Sequence, residues 1–120
     1  MHPYKRSARL NILMREEIAD IVMRRIKDPR LGFVTVTDVA LTDDLKLARV
    51  YISVLKPEEQ DVALEILGKA KSMIRSEIAK RVRMKFIPAL EFWIDASIEE
   101  GFRIDKLLNE IKTHHPEPEK

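Results

Sequence analysis

The apolar residues of this chain recur with a helical period in two long stretches and with a strand period in three short ones. Residues 9–27 carry apolar side chains at the spacing of one buried helix face. Residues 2–8 are polar, and we expect them to be loose. The Asp28-Pro29 pair ends the helix, because the residue before a proline is disfavoured in the α region.

Three short segments predict a small sheet. Residues 33–41 and 47–55 are rich in β-branched side chains and alternate along the chain, which is typical of strands. A short polar turn separates them, so an antiparallel hairpin is the simplest arrangement. Residues 89–95 form the third predicted strand. In the first strand, strict alternation places on one face Phe33, Thr35, Thr37 and Val39.

The stretch between the hairpin and the last strand predicts a kinked helix pair. An apolar residue occupies every fourth position from Val62 to Val82. A step of four residues overshoots a helical turn by about 40°, so one straight helix would not bury all of them on one surface. Gly68 and Ser72 are weaker helix formers than alanine or leucine. We therefore predict two helices that meet around residues 69–72, with the small Ala70 at the kink.

Together these elements predict an α+β fold with the order α-β-β-α-kink-α-β, a two-layer sandwich in which helices cover a three-stranded sheet. Residues 97–100 have the Ser-x-x-Glu form of a capping box and introduce a C-terminal helix. We expect a single domain over residues 1–113 and a disordered tail over residues 114–120. The residues predicted to be largely buried are Ile18, Val22, Val36, Val50, Ile52, Ile66, Ile74, Ile78 and Phe92.

Charge is distributed in blocks that the net charge of +2 conceals. Residues 69–85 hold seven basic residues and one acidic residue, and residues 1–30 hold eight basic and four acidic residues. The two segments that follow these blocks are acidic. If the basic blocks lie together in the fold, they form one face that attracts a polyanion.

The residue types present argue against catalysis. The chain has no cysteine, which excludes disulfides, thiolate metal sites and a cysteine nucleophile. The acidic residues form no evident acid–base pair, and His114 and His115 lie in the tail without further ligands. We therefore expect no cofactor and no bound metal. No apolar run is long enough to span a bilayer, and the N-terminus lacks the apolar core of a signal peptide, so we expect a soluble cytoplasmic protein.

Five segments in this order resemble a type II KH domain and, more narrowly, the bacterial ribosome-binding factor A family. They are KDPRLG at residues 27–32, LARVYISV at 47–54, IRS at 74–76, IPALEF at 87–92 and SIEEGFR at 97–103. The resemblance implies a noncatalytic assembly factor that binds the free small (30S) ribosomal subunit and supports late maturation and processing of its rRNA. A KH-like RNA-binding or protein-interaction module not tied to the ribosome is the alternative.

The resemblance also implies where RNA binds. Ordinary KH domains hold nucleic acid with a Gly-x-x-Gly loop, whereas this family has a helix-kink-helix, typically Ala-x-Gly. Ala70-Lys71 matches the start of that motif, and Ser72 stands where glycine is usual. We expect contacts to phosphates and to RNA shape more than to base edges. The expected RNA-binding residues are Lys69, Lys71, Ser72, Arg75, Arg81 and Lys85 near the kink, and Lys5, Arg6, Arg24, Arg25, Lys27 and Arg30 in the first block.

Each of these assignments has a structural alternative. A run of basic residues is often a solvated helix face, and the first block can pair with Glu16, Glu17 or Asp20 at helical spacing. Asp28 and Arg30 can brace the turn that contains them. Exposed aromatic residues can stack on bases, but Tyr51 and Trp93 are more typical of residues that cover a sheet. We expect a monomer whose partner is the small subunit, with no membrane and no small-molecule substrate.

Overall fold

The structure is a computed structural model that describes residues 3–96, with side chains from residue 8 onward. The predicted C-terminal helix after Ser97 and the predicted tail lie outside the described residues. The elements are helix α1 (Pro3–Arg25), strands β1 (Val34–Leu41) and β2 (Leu47–Val54), helices α2 (Gln60–Lys69) and α3 (Lys71–Arg81), and strand β3 (Ala89–Ile94). Single 3-10 turns at Pro29–Leu31 and Pro57–Glu59 precede β1 and α2. The predicted α+β order and the three-stranded sheet are confirmed.

Helix α1 begins earlier than its apolar stripe. The expectation of a loose segment over residues 2–8 is wrong from Pro3 onward, because the helix already includes those residues. Proline is well accommodated in the first turn of a helix. Polar side chains indicate that a segment is exposed to solvent, and they are compatible with a helix. The helix ends at Arg25, and Asp28 has the extended backbone expected before a proline.

The sheet has the order β1-β2-β3. Strands β1 and β2 pair antiparallel, which confirms the predicted hairpin. Strand β3 pairs parallel to β2, with Leu47 opposite Ala89 and Ile52 opposite Ile94. A parallel neighbour requires a crossover connection, and α2 and α3 form this connection. Helix α1 packs against β1 and α3, so the helices form one layer over the sheet.

A β-bulge in β1 overturns the strict alternation predicted for that strand. The register passes from Val36 opposite Ile52 to Asp38 opposite Tyr51, which leaves Thr37 as an extra residue. One extra residue reverses the faces of those that follow. As a result Val36 and Val39 are both buried. The Thr37 hydroxyl donates to the Asp95 carboxylate at 2.6 Å, and this bond ties β1 to the end of β3.

The predicted core is buried except at one position. Eight of its nine residues are less than a tenth exposed, and four isoleucines, Ile18, Ile52, Ile74 and Ile78, are 0% exposed. Phe92 is only partly buried, although it packs against the core. It lies on β3, an edge strand that pairs with β2 alone within the described residues. An edge position leaves part of a large side chain open to solvent.

Candidate nucleic-acid interface at the helix kink

The kink lies at Ala70, as the sequence predicts. Helix α2 ends at Lys69, α3 begins at Lys71, and Ala70 between them has φ −90° and ψ 1°. The Ala70 N–H donates to the Ile66 and Leu67 carbonyls at 3.1 Å each, and the Ile74 N–H donates to the Ala70 carbonyl at 2.9 Å. Backbone hydrogen bonds therefore continue through the bend, and the small Ala70 side chain packs against the core.

Two lysines flank the kink. The Lys69 side chain is 74% exposed and forms an exposed ion pair with Glu65 at 3.3 Å. Lys71 is half-buried and forms no ion pair with another residue in the range 3–96. Ser72 is exposed in the first turn of α3. Exposed ion pairs exchange easily with other partners, so both lysines are available to a phosphate.

The kink lies beside the turn that follows α1. Helix α2 packs against the Pro29–Leu31 turn, and the charge of Lys69 contributes to lowering the pKa of Asp28. Lys27 is exposed close by in sequence. The structure therefore brings the end of the first basic block next to the start of the second, which is the juxtaposition that a single polyanion-binding face requires.

Arg30 braces its own turn. Its Nε and Nη2 atoms donate to the two Asp28 carboxylate oxygens at 3.1 and 2.8 Å, and its backbone N–H donates to Asp28 Oδ1 at 2.9 Å. These hydrogen bonds lower the pKa of Asp28 to about 2. Of the two interpretations of Arg30, the structure shows the bracing one, although the side chain remains 64% exposed.

Arg75 is tied to the segment that enters β3. Its Nε donates to the Pro88 carbonyl at 3.0 Å, and its Nη2 donates to the Ile87 carbonyl at 2.8 Å. The guanidinium thus satisfies two backbone acceptors in a segment without regular secondary structure. No local pattern in the sequence identifies this contact, because the partners lie 12 and 13 residues away.

Replacing Arg75 with methionine should therefore destabilise the fold. Hydrogen bonds from a charged donor contribute about 1.5–3 kcal/mol, and their loss leaves the partly buried Pro88 carbonyl without this donor, while the exposed Ile87 carbonyl can bind water. We expect Arg75→Met to lower the free energy of unfolding in urea by about 1–3 kcal/mol. Arg83→Met is the matched control, since Arg83 is exposed, and it should change the free energy by less than about 0.5 kcal/mol. Equal effects of the two substitutions would contradict the bracing role.

Three further arginines, Arg24, Arg25 and Arg81, lie between α1 and α3 together with acidic residues. Arg81 Nη1 lies 2.7 Å from Asp20 and 3.2 Å from Glu17. Arg25 Nη1 lies 2.7 Å from Glu77 Oε2. We call this set the ion-pair cluster, and its members are Glu17, Asp20, Arg24, Arg25, Glu77, Lys80 and Arg81. Four cations thus share three carboxylates, so most of the positive charge at this site is compensated.

Glu77 is the buried centre of the cluster. Glu77 is only 6% exposed, and burial of its carboxylate acts to raise its pKa. The hydrogen bond from Lys80 and the charges of the surrounding cations outweigh burial, so the pKa of Glu77 is lowered. Hydrogen bonds from Arg24 and Arg81 likewise lower the pKa of Asp20. The cluster therefore fastens α1 to α3 in a pH-dependent way.

Acid should loosen this contact. The stability that the cluster contributes is fully present above the ordinary values of 4.5 for Glu77 and 3.8 for Asp20, and it is lost as the pH falls through their lowered folded values. We expect the melting temperature to fall from about pH 6 to about pH 3. The Glu77→Gln variant should have a lower melting temperature than the parent near pH 6, and its melting temperature should depend less on pH. The control is Glu58→Gln, at an exposed glutamate, and its melting temperature should vary with pH as in the parent. The same pH dependence in Glu77→Gln as in the parent would contradict the prediction.

Four expected RNA-binding residues, Lys5, Arg6, Lys27 and Lys85, lie outside the ion-pair cluster. Lys85 is exposed, and its ammonium lies 5.7 Å from the centre of the Phe86 ring. Neither Lys27 nor Lys85 forms an ion pair within the described part of the chain. Lys5 and Arg6 lie in α1, but their side chains lie outside the description. Among the expected RNA-binding cations whose side chains are described, Lys27, Lys71 and Lys85 thus have no ion pair within the described residues, and Lys69 has only its exposed pair with Glu65.

Trp93 lies on the outer face of the sheet and is 49% exposed. The Arg49 guanidinium lies 5.7 Å from the centre of its ring, and its Nε1 donates to Glu91 Oε1 at 3.1 Å. Arg49 and Glu91 also approach each other at 3.7 Å. Arg49 was not singled out from the sequence, because it reaches Trp93 only across paired strands, whereas Glu91 lies two residues from Trp93 on the same strand. Tyr51, opposite Trp93 in β2, is half-buried.

Within residues 3–96, no group of three or more histidine, aspartate or glutamate side chains is arranged to hold a metal ion. None of the helices in this range combines the length and apolarity needed to cross a membrane.

Comparison with known proteins relates the chain to one family. The sequence model described as Ribosome-binding factor A matches residues 6–108. Ribosome-binding factor A of Thermodesulfovibrio yellowstonii is 61% identical over 112 residues, which cover 93% of this chain and 95% of that protein. The crystal structure of ribosome-binding factor A from Thermus thermophilus superposes with a TM-score of 0.66 at 31% identity, over 73% of this chain and 93% of that chain.

A further similar structure carries information about a partner. It is a homology model of the Thermus thermophilus factor fitted into the cryo-electron-microscopy map of its complex with the 30S subunit. It matches with a TM-score of 0.60 at 32% identity, over 69% of this chain and 88% of that chain. The resemblance noted in the five sequence segments is thus confirmed at the level of sequence and of fold.

Proposed function

The chain belongs to the ribosome-binding factor A family, and from that membership we propose that it binds the free small ribosomal subunit and supports late maturation and processing of its rRNA. The observation that carries the proposal is the 61% identity with a ribosome-binding factor A over almost the whole of both chains. The fitted complex of the Thermus thermophilus protein with the 30S subunit supports the same partner.

The kink supplies the RNA contacts in this proposal. Lys69 and Lys71 lie on the two sides of Ala70. Lys69 is exposed and Lys71 is half-buried, and Ser72 next to them is exposed. Lys27 and Lys85 extend the same set, with Lys5 and Arg6 of α1 as further candidates. Arg24, Arg25 and Arg81 contribute less, because carboxylates of the ion-pair cluster already compensate them. Arg30 and Arg75 serve chiefly to hold backbone segments in place.

The protein acts by binding and does not catalyse a reaction on the rRNA. It works as a monomer in the cytoplasm, without a cofactor. Phosphate contacts dominate the affinity, so association with the subunit depends on salt. A protein-interaction module with incidental basic residues is the second candidate, and it would associate with little dependence on salt.

Sedimentation of the tagged protein with ribosomal fractions tests the proposal. We expect cosedimentation with free small subunits that weakens steeply as salt rises, and none with large subunits as the control. Incubation with precursor rRNA should yield no cleavage. A complex that resists both salt and nuclease would favour the interaction module. Cleavage that survives purification and is abolished by a point substitution in this chain would contradict the noncatalytic role.

A further inference from the structure

One aromatic ring is exposed in the segment that joins α3 to β3. Phe86 is 69% exposed. Its neighbours in the chain are anchored, because Met84 and Ile87 pack against the core and Pro88 is fully buried. The exposure of the ring is therefore not the result of a loose segment. The ring points outward from a stretch of backbone that is held in place.

Arg75 holds this segment next to the kink. Its guanidinium donates to the Ile87 and Pro88 carbonyls at 2.8 and 3.0 Å. Lys71 lies four residues before Arg75 on α3, and side chains at this spacing are neighbours on a helix surface. Phe86 directly precedes Ile87 in the chain. The backbone that carries the ring thus lies beside the first turns of α3, where the proposed RNA contacts begin.

The surroundings of the ring are cationic. Residues 82–88 carry the basic side chains of Arg83 and Lys85 and no acidic one. The Lys85 ammonium lies 5.7 Å from the centre of the Phe86 ring and forms no ion pair within the described residues. It can therefore bind a phosphate while the ring contacts a base. Single-stranded nucleic acids bind to such combinations, because bases stack on aromatic rings and cations follow the backbone.

Two other exposed rings lack this combination. Trp93 has Arg49 over its ring, but its N–H donates to Glu91, and Arg49 approaches the same carboxylate. A carboxylate beside the ring repels the phosphates that accompany a base. Phe33 is 75% exposed just before β1, and no cation within the described residues lies over its ring. Phe86 is therefore the ring best placed to meet RNA.

We propose that Phe86 stacks on an unpaired base of the RNA bound at the kink, with Lys85 on the adjoining phosphate. The inference rests on the proposed function and adds to it a contact with the face of a base, where the other residues contact phosphates. Such a contact selects single-stranded or bulged RNA, because the faces of paired bases in a duplex are covered by their neighbours.

Affinity for purified small subunits across a salt series tests the proposal. We expect Phe86→Leu to weaken binding by about 5-fold or more, because leucine keeps an apolar side chain but has no ring to stack. Phe86→Trp should bind at least as tightly as the parent. The slope of log affinity against log salt should stay unchanged in both variants, since neither loses a phosphate contact. Phe33→Leu is the matched control, at a similarly exposed ring, and should bind like the parent.

The outcomes separate stacking from its alternatives. Equal affinity of Phe86→Leu and the parent, with salt-dependent binding retained, would overturn the stacking and leave the proposed function intact. Absence of salt-dependent binding in the parent would instead overturn the proposed function. A loss of affinity in Phe86→Ser without one in Phe86→Leu would assign the ring to an apolar contact with a protein of the subunit, and this result also overturns the inference.

Fluorescence provides a direct readout of stacking in the full chain. In a Trp93→Phe background, Phe86→Trp introduces the only indole, because the chain has one tryptophan. Phe33→Trp in the same background is the control. We expect a single-stranded oligoadenylate at low salt to quench the indole at position 86, and an RNA duplex of equal charge to quench it much less. Equal quenching by the two RNAs, or equal quenching at positions 86 and 33, would overturn the proposal.

Discussion

Reversing the charge of both lysines that flank the kink, as Lys69→Glu/Lys71→Glu, is expected to weaken binding to small subunits by about 10-fold or more. Each lysine lost from a phosphate removes a released counterion, so the slope of log affinity against log salt should become less steep by roughly 0.7–0.9 per contact. The reason for choosing this pair is structural. Arg75, the other cation expected at the kink, is bound to the Ile87 and Pro88 carbonyls, so its reversal would damage the fold.

The measurement is cosedimentation or filter binding with purified small subunits across a salt series, with thermal melts beside it. The matched control is Lys46→Glu/Lys56→Glu, which makes the same charge change at two exposed lysines away from the kink. Folding stability should hardly change in either variant, because exposed charges contribute little to it and the half-buried Lys71 forms no ion pair within the described residues. An equal loss in both variants would indicate general electrostatic attraction. Unchanged affinity and slope in the folded kink variant would move the RNA contacts towards the first basic block.

Removing the side chain of Ile74 is expected to produce the largest loss of stability. Ile74 is 0% exposed in the first half of α3, one turn after the kink. Its replacement by alanine removes apolar contacts and leaves a cavity that the surrounding helices and sheet cannot fill. The expected cost is about 2–5 kcal/mol in the free energy of unfolding, which is a large part of the roughly 5–15 kcal/mol typical of a domain.

Chemical denaturation of Ile74→Ala measures this loss. Ile12→Ala is the matched control, because Ile12 is 51% exposed on α1 and its truncation leaves no cavity. We expect the control to cost less than about 1 kcal/mol, consistent with its exposure. Ile74→Val should fall between the two, at about 0.5–1.5 kcal/mol. Similar effects at Ile74 and Ile12 would show that α3 is not packed as described.

The elements that depend on local periodicity were predictable from the sequence. The positions of α2 and α3, the hairpin and the kink at Ala70 follow from spacing, and the structure confirms them. Core-facing positions repeat with the period of the helix or strand that contains them. The pattern that predicts these elements therefore lies within short stretches of the sequence. The two basic blocks, one of which contains the kink, could be read directly from the sequence, but their proximity in space could not.

Local periodicity did not predict the bulge at Thr37 or the early start of α1. A bulge leaves composition unchanged and only shifts the register against the partner strand, so it depends on β2 and on the Asp95 side chain that receives the Thr37 hydroxyl. The polar residues at the start of α1 lack an apolar stripe, and periodicity therefore carries no signal there.

What the sequence determined by itself is the order of the elements, the kink and the presence of two basic blocks. What the tertiary structure decided is which basic residues remain available. Arg25 meets Glu77 across 52 residues, and Arg81 meets Asp20 across 61 residues. Charge pairing acts between groups that are close in space whatever their separation in the chain. The packing of α1 on α3 therefore compensates Arg25 and Arg81, while beside the kink Lys71 has no ion pair within the described residues and Lys69 has only its exposed pair with Glu65.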